Sequence, residues 1–425
     1  MERAGPRRPF ALRRLSYREL RRAWPPLIRN VPTVREASFS LLAGLVIFLG
    51  SGAVLASSTS VLVQVSGLIA LIPASNALRG DIYGPLGSRL GTYLHTGLIR
   101  PRLQRSRVLE ENLLVTATQS LTIAFPLAFL SWVTLSALGV RVVGLQHLIF
   151  VATLSAGASG LILSGAAFVL SSVAFRRGLN PDNVNAPLIT AGGDLLSATL
   201  LIGLGYTLIT IDFSPWVVLP VDAALAVTTL VLLRRTLSTK RAMARSIFRQ
   251  SVPILAATVT LELLVGLTLE NSLDALVAAP MLLVLLPPFL GQTGNFASIH
   301  ASRLSSAVHL GTTVVGRRPD SYARADFRDM AIVAAILFPA MGLVVFGFCA
   351  AAGIAGPPAG TFLLLCVIAG AICTAIVLPL GYYTTFVAFK LGADPDNVVI
   401  PITNSTIDLL GVVLLLGTAG LLAIT

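Results

Sequence analysis

The sequence predicts an all-α polytopic membrane protein in which two parallel five-helix repeats are joined by one linking transmembrane helix. Three observations predict this fold class. The 425 residues are 55% hydrophobic and 12% charged, which is about half the charged fraction of a soluble domain. Apolar stretches of the length that crosses a bilayer recur along the chain. Polar residues within these stretches recur at a constant interval, which indicates an internal duplication.

Eleven apolar stretches are long enough to be membrane spans. They lie at residues 38–57, 59–78, 112–138, 147–174, 184–209, 216–233, 251–269, 275–297, 329–352, 361–389 and 398–423. With a cytoplasmic N-terminus, the cytoplasmic side holds all of the 31 Lys and Arg residues except Arg141. Because basic residues concentrate in the cytoplasmic loops of membrane proteins, we predict eleven spans with the N-terminus inside and the C-terminus outside.

The net charge of +12 follows from this topology. In a soluble protein such a charge would point to nucleic acid as a partner. Here the basic residues mark one side of the membrane, so no nucleic-acid partner is expected. The expected surroundings are the lipid bilayer of the cell membrane, which the chain crosses many times.

Two pairs of segments repeat at an offset of 214 residues. Residues 73–97 align without gaps with residues 287–311, and residues 178–197 align with residues 392–411. Polar matches rarely arise by chance between membrane helices. Those found here include Arg89/Arg303, His95/His309, Asp182/Asp396 and Asp194/Asp408. The chain is therefore predicted to be a tandem duplication.

The duplication divides the chain into four predicted parts. They are a basic cytoplasmic segment at 1–35, a first repeat at 36–209, a linking helix with a basic loop at 210–249, and a second repeat at 250–425. Each repeat holds five spans, an odd number, and the linking span returns the second repeat to the orientation of the first. The repeats are then parallel, with a pseudo-two-fold axis along the membrane normal.

Asp194 and Asp408 are the most informative charges, because an acid inside a span is costly. Each lies in the fifth span of its repeat, eleven residues beyond Asn183 or Asn397, which places it near the bilayer midplane. Two carboxylates that face each other repel unless a cation lies between them. The pair predicts a cation site. The alternative is two separate carboxylates bonded to neighbouring hydroxyls.

Four further polar residues accompany these aspartates in the predicted pathway. They are the aligned pair Asp81 and Asn295 and the aligned pair Thr190 and Asn404. The first pair follows Gly80 and Gly294, where glycine lets the backbone turn its carbonyls towards a pathway. The second pair lies one helical turn before the aspartates, on the same helix face. Local helix packing is the alternative explanation for these four residues.

Two more pairs are assigned to the cytoplasmic mouth of the pathway. Asp182 and Asp396 stand at the cytoplasmic start of the fifth spans, where a carboxylate either caps the helix or attracts ions. Arg89 and Arg303 are predicted to anchor the inner face by pairing with such acids.

Glu262 is an intramembrane acid in the seventh predicted span. It has no acidic partner in the first repeat, because the aligned position is Phe48. An unmatched acid inside a span is costly and is typical of a coupling site. We therefore predict that Glu262 couples transport to Na⁺ or H⁺.

These motifs resemble the MgtE-type magnesium transporter superfamily, in the duplicated form seen in solute carrier family 41. The segments at 178–197, 287–311 and 392–411 carry the resemblance, together with the five-span unit. Proteins of the MgtE type are homodimers with a pore on the two-fold axis. The resemblance therefore implies Mg²⁺ transport by a single chain that acts as a pseudo-dimer.

The resemblance also assigns residues. The fifth-span aspartates that bind the ion in the family match Asp194 and Asp408, and the family's Gly-Asn motif matches Gly294 and Asn295. The first copy departs from this motif, because Asp81 follows its glycine. The two halves are therefore not expected to contribute equally.

The expected function is transport of a largely hydrated Mg²⁺ ion between the two repeats, with Mg²⁺ as substrate and no resident cofactor. Mg²⁺ keeps several waters when bound, so few direct ligands are needed. The oxygen ligands by themselves leave Mn²⁺ and Ca²⁺ open, and passive and coupled transport are both open. The alternative is an intramembrane metal-dependent enzyme acting on a lipid diphosphate. It would need acid-rich clusters, which the sequence lacks, so we expect no enzyme.

Overall fold

The computed structural model describes residues 30–424 except 96, 103–105, 178–180, 212–214, 239, 310, 314–315 and 392–394. Most of the predicted basic segment at 1–35 therefore lies outside the described residues. All regular structure in the described part is helical, which confirms an all-α protein.

The helices are α1 (Asn30–Ser57), α2 (Thr59–Gln64), α3 (Leu68–His95), α4 (Arg107–Ala137), α5 (Leu145–Arg176), α6 (Pro181–Ile211), α7 (Pro215–Thr236), α8 (Ala242–Asn271), α9 (Leu273–Ala278), α10 (Pro280–His309), α11 (Ser321–Ala351), α12 (Ala359–Lys390) and α13 (Pro395–Leu421). The series α1 to α6 has the same order of long and short helices as the series α8 to α13. The short helices α2 and α9 are 214 residues apart, and so are α4 and α11. The helix boundaries thus follow the same offset as the sequence motifs.

The second predicted span of each repeat is not one continuous helix, contrary to the prediction for 59–78 and 275–297. A short helix is followed by a break and then by a long helix. In the first repeat the break contains Gly67, whose φ of 92° is a conformation that glycine adopts without strain. In the second repeat the long helix begins at Pro280, because proline suits the first position of a helix.

Nine helices in the described residues are long and apolar enough to cross a membrane, and Leu41–Ser57 forms a shorter apolar helix. These helices confirm a polytopic membrane protein. The helix α3 is not among the nine, and it carries Arg79, Asp81 and Arg89 within its length. The total of eleven spans and their orientation stay predictions.

The first helix of each repeat packs against the other repeat. Helix α1 lies along α10, and helix α8 lies along α3. A Cβ built on Gly52 of α1 would lie 2.1 Å from the carbonyl oxygen of Val284, and one built on Gly266 of α8 would lie 2.1 Å from that of Ala70. Both contacts join repeat-equivalent positions, so the same close helix approach occurs twice, once on each side of the interface.

Other contacts reinforce this exchange of first helices. The buried side chain of Gln292 on α10 donates a hydrogen bond to the Leu41 carbonyl of α1, at 2.7 Å. The Gly67 N–H, beside the start of α3, donates to Glu270 Oε1 of α8 at 3.0 Å. The two repeats therefore form one packed bundle.

The linking helix α7 lies at the periphery of this bundle. It packs mainly against α4 and α5 of the first repeat. Trp216, Val227 and Leu230 on its outer face are largely exposed in the isolated chain, as is typical of a lipid-facing surface. Helix α7 therefore connects the repeats without separating them.

We predict that Gly52→Ala and Gly266→Ala each lower the thermal unfolding temperature of the purified chain. The added Cβ overlaps a backbone carbonyl, and overpacking of this kind costs about 1–3 kcal/mol. Gly347→Ala is the matched control, since a Cβ there meets nothing within 4 Å and alanine favours a helix. Equal unfolding temperatures for all three variants would contradict the close packing.

Candidate cation pathway

Five helices bring the intramembrane polar residues together. Each of the long helices α3 and α10 packs extensively against the last helix of its own repeat, α6 or α13. Helix α8 crosses from the second repeat and contacts both α3 and α13. The residues of this interface come from both repeats.

Three carboxyl groups converge where α8, α13 and α3 meet. The side chains of Glu262 and Asp408 lie within hydrogen-bonding reach of each other, and the charge of Asp81 interacts with both. Glu262 is 1% exposed, and Ser405 is a further hydrogen-bonding neighbour of its carboxyl group. Because the three acids come from both repeats, the site depends on the exchange of first helices.

Asp194 faces this group from α6. Its charge interacts with that of Asp408, so the structure brings the two predicted midplane aspartates into one electrostatic environment. The side chain of Asp194 is 6% exposed. Its Oδ1 atom has no hydrogen-bond partner.

Gly80 on α3 and Gly294 on α10 allow the last helix of the same repeat, α6 or α13, to approach these helices closely. A Cβ built on Gly80 would lie 3.5 Å from Thr190 Cγ2, and one built on Gly294 would lie 3.8 Å from Asp408 Oδ1 and 3.9 Å from Asn404 Cγ. Thr190 and Asn404 thus face the equivalent glycines. Asn404 Oδ1 also accepts a hydrogen bond from Ser298, so part of its capacity serves packing.

Five of the buried side-chain polar atoms that lack a hydrogen-bond partner belong to helices of this interface. They are Asp81 Oδ2, Asp194 Oδ1, Glu262 Oε1, Gln292 Oε1 and Asn295 Nδ2. Buried polar atoms are usually hydrogen-bonded, so acceptor oxygens of this kind suit a polar or cationic ligand. In the described residues, no three His, Cys, Asp or Glu side chains are arranged to hold a metal ion directly.

Arg79 lies next to the predicted pathway residues, whereas the sequence interpretation counted it only among the basic residues of the cytoplasmic side. Its side chain is 1% exposed within the bundle, and its charge interacts with that of Asp194. Nη1 donates a hydrogen bond to Ser120 Oγ at 3.4 Å. The signal in the sequence was its place two residues before Asp81, within the motif that repeats.

Arg89 and Arg303 each bond to a residue of the helix that follows their own. Arg89 Nε donates to Asn112 Oδ1 at 2.9 Å, and Arg303 Nε donates to Asp326 Oδ1. Positions 112 and 326 are repeat equivalents on α4 and α11. Each arginine therefore ties the second long helix of its repeat to the next helix. The predicted pairing with the Pro-Asp-Asn acids stays a prediction, because the side chains of those acids lie outside the described residues.

The side chains of Asp182 and Asp396 lie outside the described residues. Helices α6 and α13 begin one residue before them, so both residues lie in a first helical turn. The assignment of these acids to the cytoplasmic mouth stays a prediction.

Asp326 also contacts His300, a buried residue that the sequence interpretation did not single out. His300 Nδ1 lies 2.7 Å from Asp326 Oδ2, and Nε2 lies 3.0 Å from the Leu378 carbonyl oxygen. Both side chains are fully buried. The first repeat has Leu86 and Asn112 at the equivalent positions, so this network belongs to the second repeat alone.

Asp222 was also missed, and it lies apart from the carboxyl cluster. It sits on the linking helix α7 and lines a cavity of about 420 Å³ between α4, α5 and α7. Its side chain is 9% exposed, and Oδ1 has no hydrogen-bond partner. The cavity is formed by other helices than those that carry Asp194 and Asp408.

Two stretches of this chain match a known protein family. The family model for MgtE, a divalent cation transporter, matches residues 72–204 and residues 286–418. The chain belongs to the MgtE family. The two matches lie 214 residues apart, so the family unit occurs twice. Both matches lie inside the repeats predicted at 36–209 and 250–425, whose outer bounds stay predictions.

The MgtE assignment agrees with curated relatives. Solute carrier family 41 member 3 of Mus musculus is 25% identical over 380 residues, which cover 83% of this chain and 74% of that protein. Solute carrier family 41 member 2 of Gallus gallus is 25% identical over 417 residues, which cover 91% of this chain and 71% of that protein. No solved structure gives a significant match.

These similarities confirm the resemblance to the duplicated form of the MgtE superfamily. The chain is a multi-pass membrane transporter of divalent cations and not an enzyme, which agrees with the expected cell-membrane location. The alternative of an intramembrane enzyme has no support. Six of the predicted pathway residues lie inside the matched regions, namely Asp81, Thr190, Asp194, Asn295, Asn404 and Asp408. Glu262 lies between the two regions.

We predict that Asp326→Ala destabilises the chain by about 3 kcal/mol, because it removes the carboxylate that contacts both the buried His300 and the half-buried Arg303, which still has the more distant Asp329. Asn112→Ala is the matched change in the first repeat. It removes the neutral acceptor of Arg89 and the hydrogen bonds from Nδ2 to the Val108 carbonyl and Met243 Sδ, at a smaller cost of about 1–2 kcal/mol. Thermal unfolding of both variants in detergent measures the difference. A decrease in unfolding temperature for Asn112→Ala as large as that for Asp326→Ala would contradict the larger stabilising role predicted for Asp326.

Proposed function

We propose that this MgtE-family chain carries Mg²⁺ across the membrane through the interface between its two repeats. The observation that carries the proposal is the convergence of Asp81, Glu262 and Asp408, with Asp194 facing them from the first repeat. A cluster of buried carboxyl groups repels itself unless a cation or protons neutralise it. One divalent cation neutralises two carboxylates, whereas two protons or two monovalent cations would be needed for the same effect.

The chemistry of the cluster favours a hard cation. Its ligating atoms are carboxylate, amide and hydroxyl oxygens, which suit Mg²⁺, Mn²⁺ and Ca²⁺ better than zinc or copper. In the part of the chain that the structure describes, no three His, Cys, Asp or Glu side chains are arranged to ligate a metal ion directly. We infer that the ion keeps most of its water and that Asp194, Asp408, Asn295, Asn404 and Thr190 contact it largely through that water. Mg²⁺ is the substrate, and Mn²⁺ is a close competitor.

The proposed pathway needs a single chain. The two repeats supply the two sides that separate subunits would supply in a homodimer, and each first helix packs into the opposite repeat. We propose parallel repeats with a pseudo-two-fold axis along the membrane normal, eleven spans, and the N-terminus inside. On this topology, Asp182 and Asp396 lie at the cytoplasmic mouth, where their carboxylates would attract cations.

We predict that Asp194→Asn combined with Asp408→Asn abolishes Mg²⁺ flux into liposomes, with a decrease of at least about a hundredfold. Two charges near the midplane are lost, and a divalent cation then has no counter-charge in the low-dielectric interior. A Mg²⁺-sensitive dye inside the vesicles measures the flux, and size-exclusion chromatography checks that the variant remains folded.

Asp274→Asn is the control for that experiment, because it removes an acid that lies exposed on the short helix α9. Flux through this variant should equal that of the unaltered chain. Normal Mg²⁺ flux in a folded Asp194→Asn/Asp408→Asn variant would overturn the proposed pathway.

We further propose that Glu262 couples Mg²⁺ movement to Na⁺ or H⁺. Its carboxyl group lies against Asp408, so an ion or proton bound at Glu262 changes the charge that Mg²⁺ meets. In sealed vesicles, a gradient of the coupling ion should drive Mg²⁺ uphill through the unaltered chain, and Glu262→Gln should abolish this drive. The Na⁺ and H⁺ gradients are imposed separately, which identifies the ion. Uphill transport that persists in Glu262→Gln would exclude Glu262 as the coupling residue.

A further inference from the structure

The two halves of the proposed pathway are chemically unequal, and Arg79 is the largest difference between them. Its repeat equivalent on α10 is Thr293. An arginine stays protonated in proteins, so a fixed positive charge lies inside the bundle in the first repeat only. A charge in the membrane interior costs about 2.5–3.5 kcal/mol on insertion scales, so its retention requires a specific counter-charge.

The first repeat contains a site built for this arginine. Ser120 accepts its hydrogen bond, and the second repeat has Ala334 at that position. A Cβ on Gly193 would lie 3.0 Å from Arg79 Cβ, so glycine makes room for the side chain. The equivalent position in the second repeat is the bulky Ile407. The space and the acceptor thus occur together with Arg79 and are both absent from the other repeat.

Asp194 is the acidic residue with which the positive charge of Arg79 interacts. The Arg79 guanidinium interacts with the charge of Asp194, which is on the neighbouring α6. In the described residues no direct ion pair joins them, and both Arg79 Nε and Asp194 Oδ1 lack hydrogen-bond partners. The guanidinium therefore acts on the carboxylate across the low-dielectric interior, where charges interact over longer distances than in water.

The second repeat has an additional acidic residue, Glu262, instead of an additional arginine. Glu262 lies beside Ser405 and Asp408 there. In the first repeat the positions equivalent to Glu262 and Ser405 are Phe48 and Ala191. At positions 79/293 and 48/262 the first repeat thus has an added cation and an apolar residue, where the second repeat has a neutral side chain and an added acid. Asp81 is an acid of the first repeat whose equivalent is Asn295, and it interacts with Glu262 and Asp408.

We propose that Arg79 is a built-in counter-ion for Asp194, so that the transported divalent cation lies closer to Asp408, Glu262 and Asp81 than to Asp194. The inference deepens the proposed function and rests on it. Arg79 then sets the affinity of the site, because its charge offsets one of the acids that would otherwise attract the ion. The residue is a positioning and affinity-setting residue and does not contact the ion.

The test is the binding of Mn²⁺ alone to the purified full chain in lipid nanodiscs, measured from the free Mn²⁺ signal by electron paramagnetic resonance. Arg79→Met should bind Mn²⁺ at least about tenfold more tightly than the unaltered chain, because a nearby positive charge is removed and Asp194 is freed. Arg79→Lys keeps the charge and should bind like the unaltered chain. Unchanged or weaker binding by Arg79→Met would overturn the inference, since a merely structural role predicts a loss of affinity.

A second pair of variants applies if Arg79→Met does not fold. Asp194→Asn leaves Arg79 uncompensated and should weaken Mn²⁺ binding about tenfold or more. The combined Arg79→Met/Asp194→Asn variant has no net buried charge at these positions and should bind more tightly than Asp194→Asn. Binding by the combined variant that is no tighter than that of Asp194→Asn would overturn the inference.

Asp408→Asn separates the failure of this inference from the failure of the proposed function. The proposed function requires that Asp408→Asn loses Mn²⁺ binding. If it binds normally, the proposed pathway itself is wrong. If it loses binding and Arg79→Met does not gain it, the pathway stands and only the role of Arg79 is wrong.

Discussion

The exchange of first helices between the repeats is the contact on which the rest of the structure depends. Gly266 of α8 packs directly on the backbone at Ala70 of α3. Glu262 lies one helical turn earlier on the same helix face, so this approach carries its carboxyl group between α3 and α13. The equivalent contact of Gly52 with Val284 brings α1 against α10. If Gly52 and Gly266 carried Cβ atoms, the helices would stand further apart and the carboxyl groups would not meet.

A duplicated fold supplies two similar frameworks, and the side chains within them have become different. Arg89 with Asn112 and Arg303 with Asp326 occupy equivalent positions and join equivalent helices. One pair shares a single negative charge with a buried histidine, and the other pair uses a neutral amide. The helix geometry is thus preserved while the electrostatics change. In a homodimer such a difference between the two sides is impossible, because both copies have one sequence.

Much of the architecture was predictable because its physical causes are local or periodic. Hydrophobic composition requires a membrane protein, and matching Asp, Asn and Arg residues at one offset reveal the duplication. The helix boundaries follow that offset, and the family unit matches twice. The continuous helices predicted at 59–78 and 275–297 were wrong, because apolar content does not report a break. Gly67, with its positive φ, and Pro280 interrupt them.

The sequence by itself determined the membrane class, the duplication and which acids lie within apolar stretches, because composition and spacing depend on the order of residues alone. Only the tertiary structure decided which of these residues meet. It brought Glu262 to Asp408 and Asp81, and it placed Arg79 inside the bundle beside Asp194. The physical reason is that the interaction between two charges depends on their distance in space and not on their separation in the sequence. Helices that are far apart in sequence approach each other only where small residues permit backbone contact.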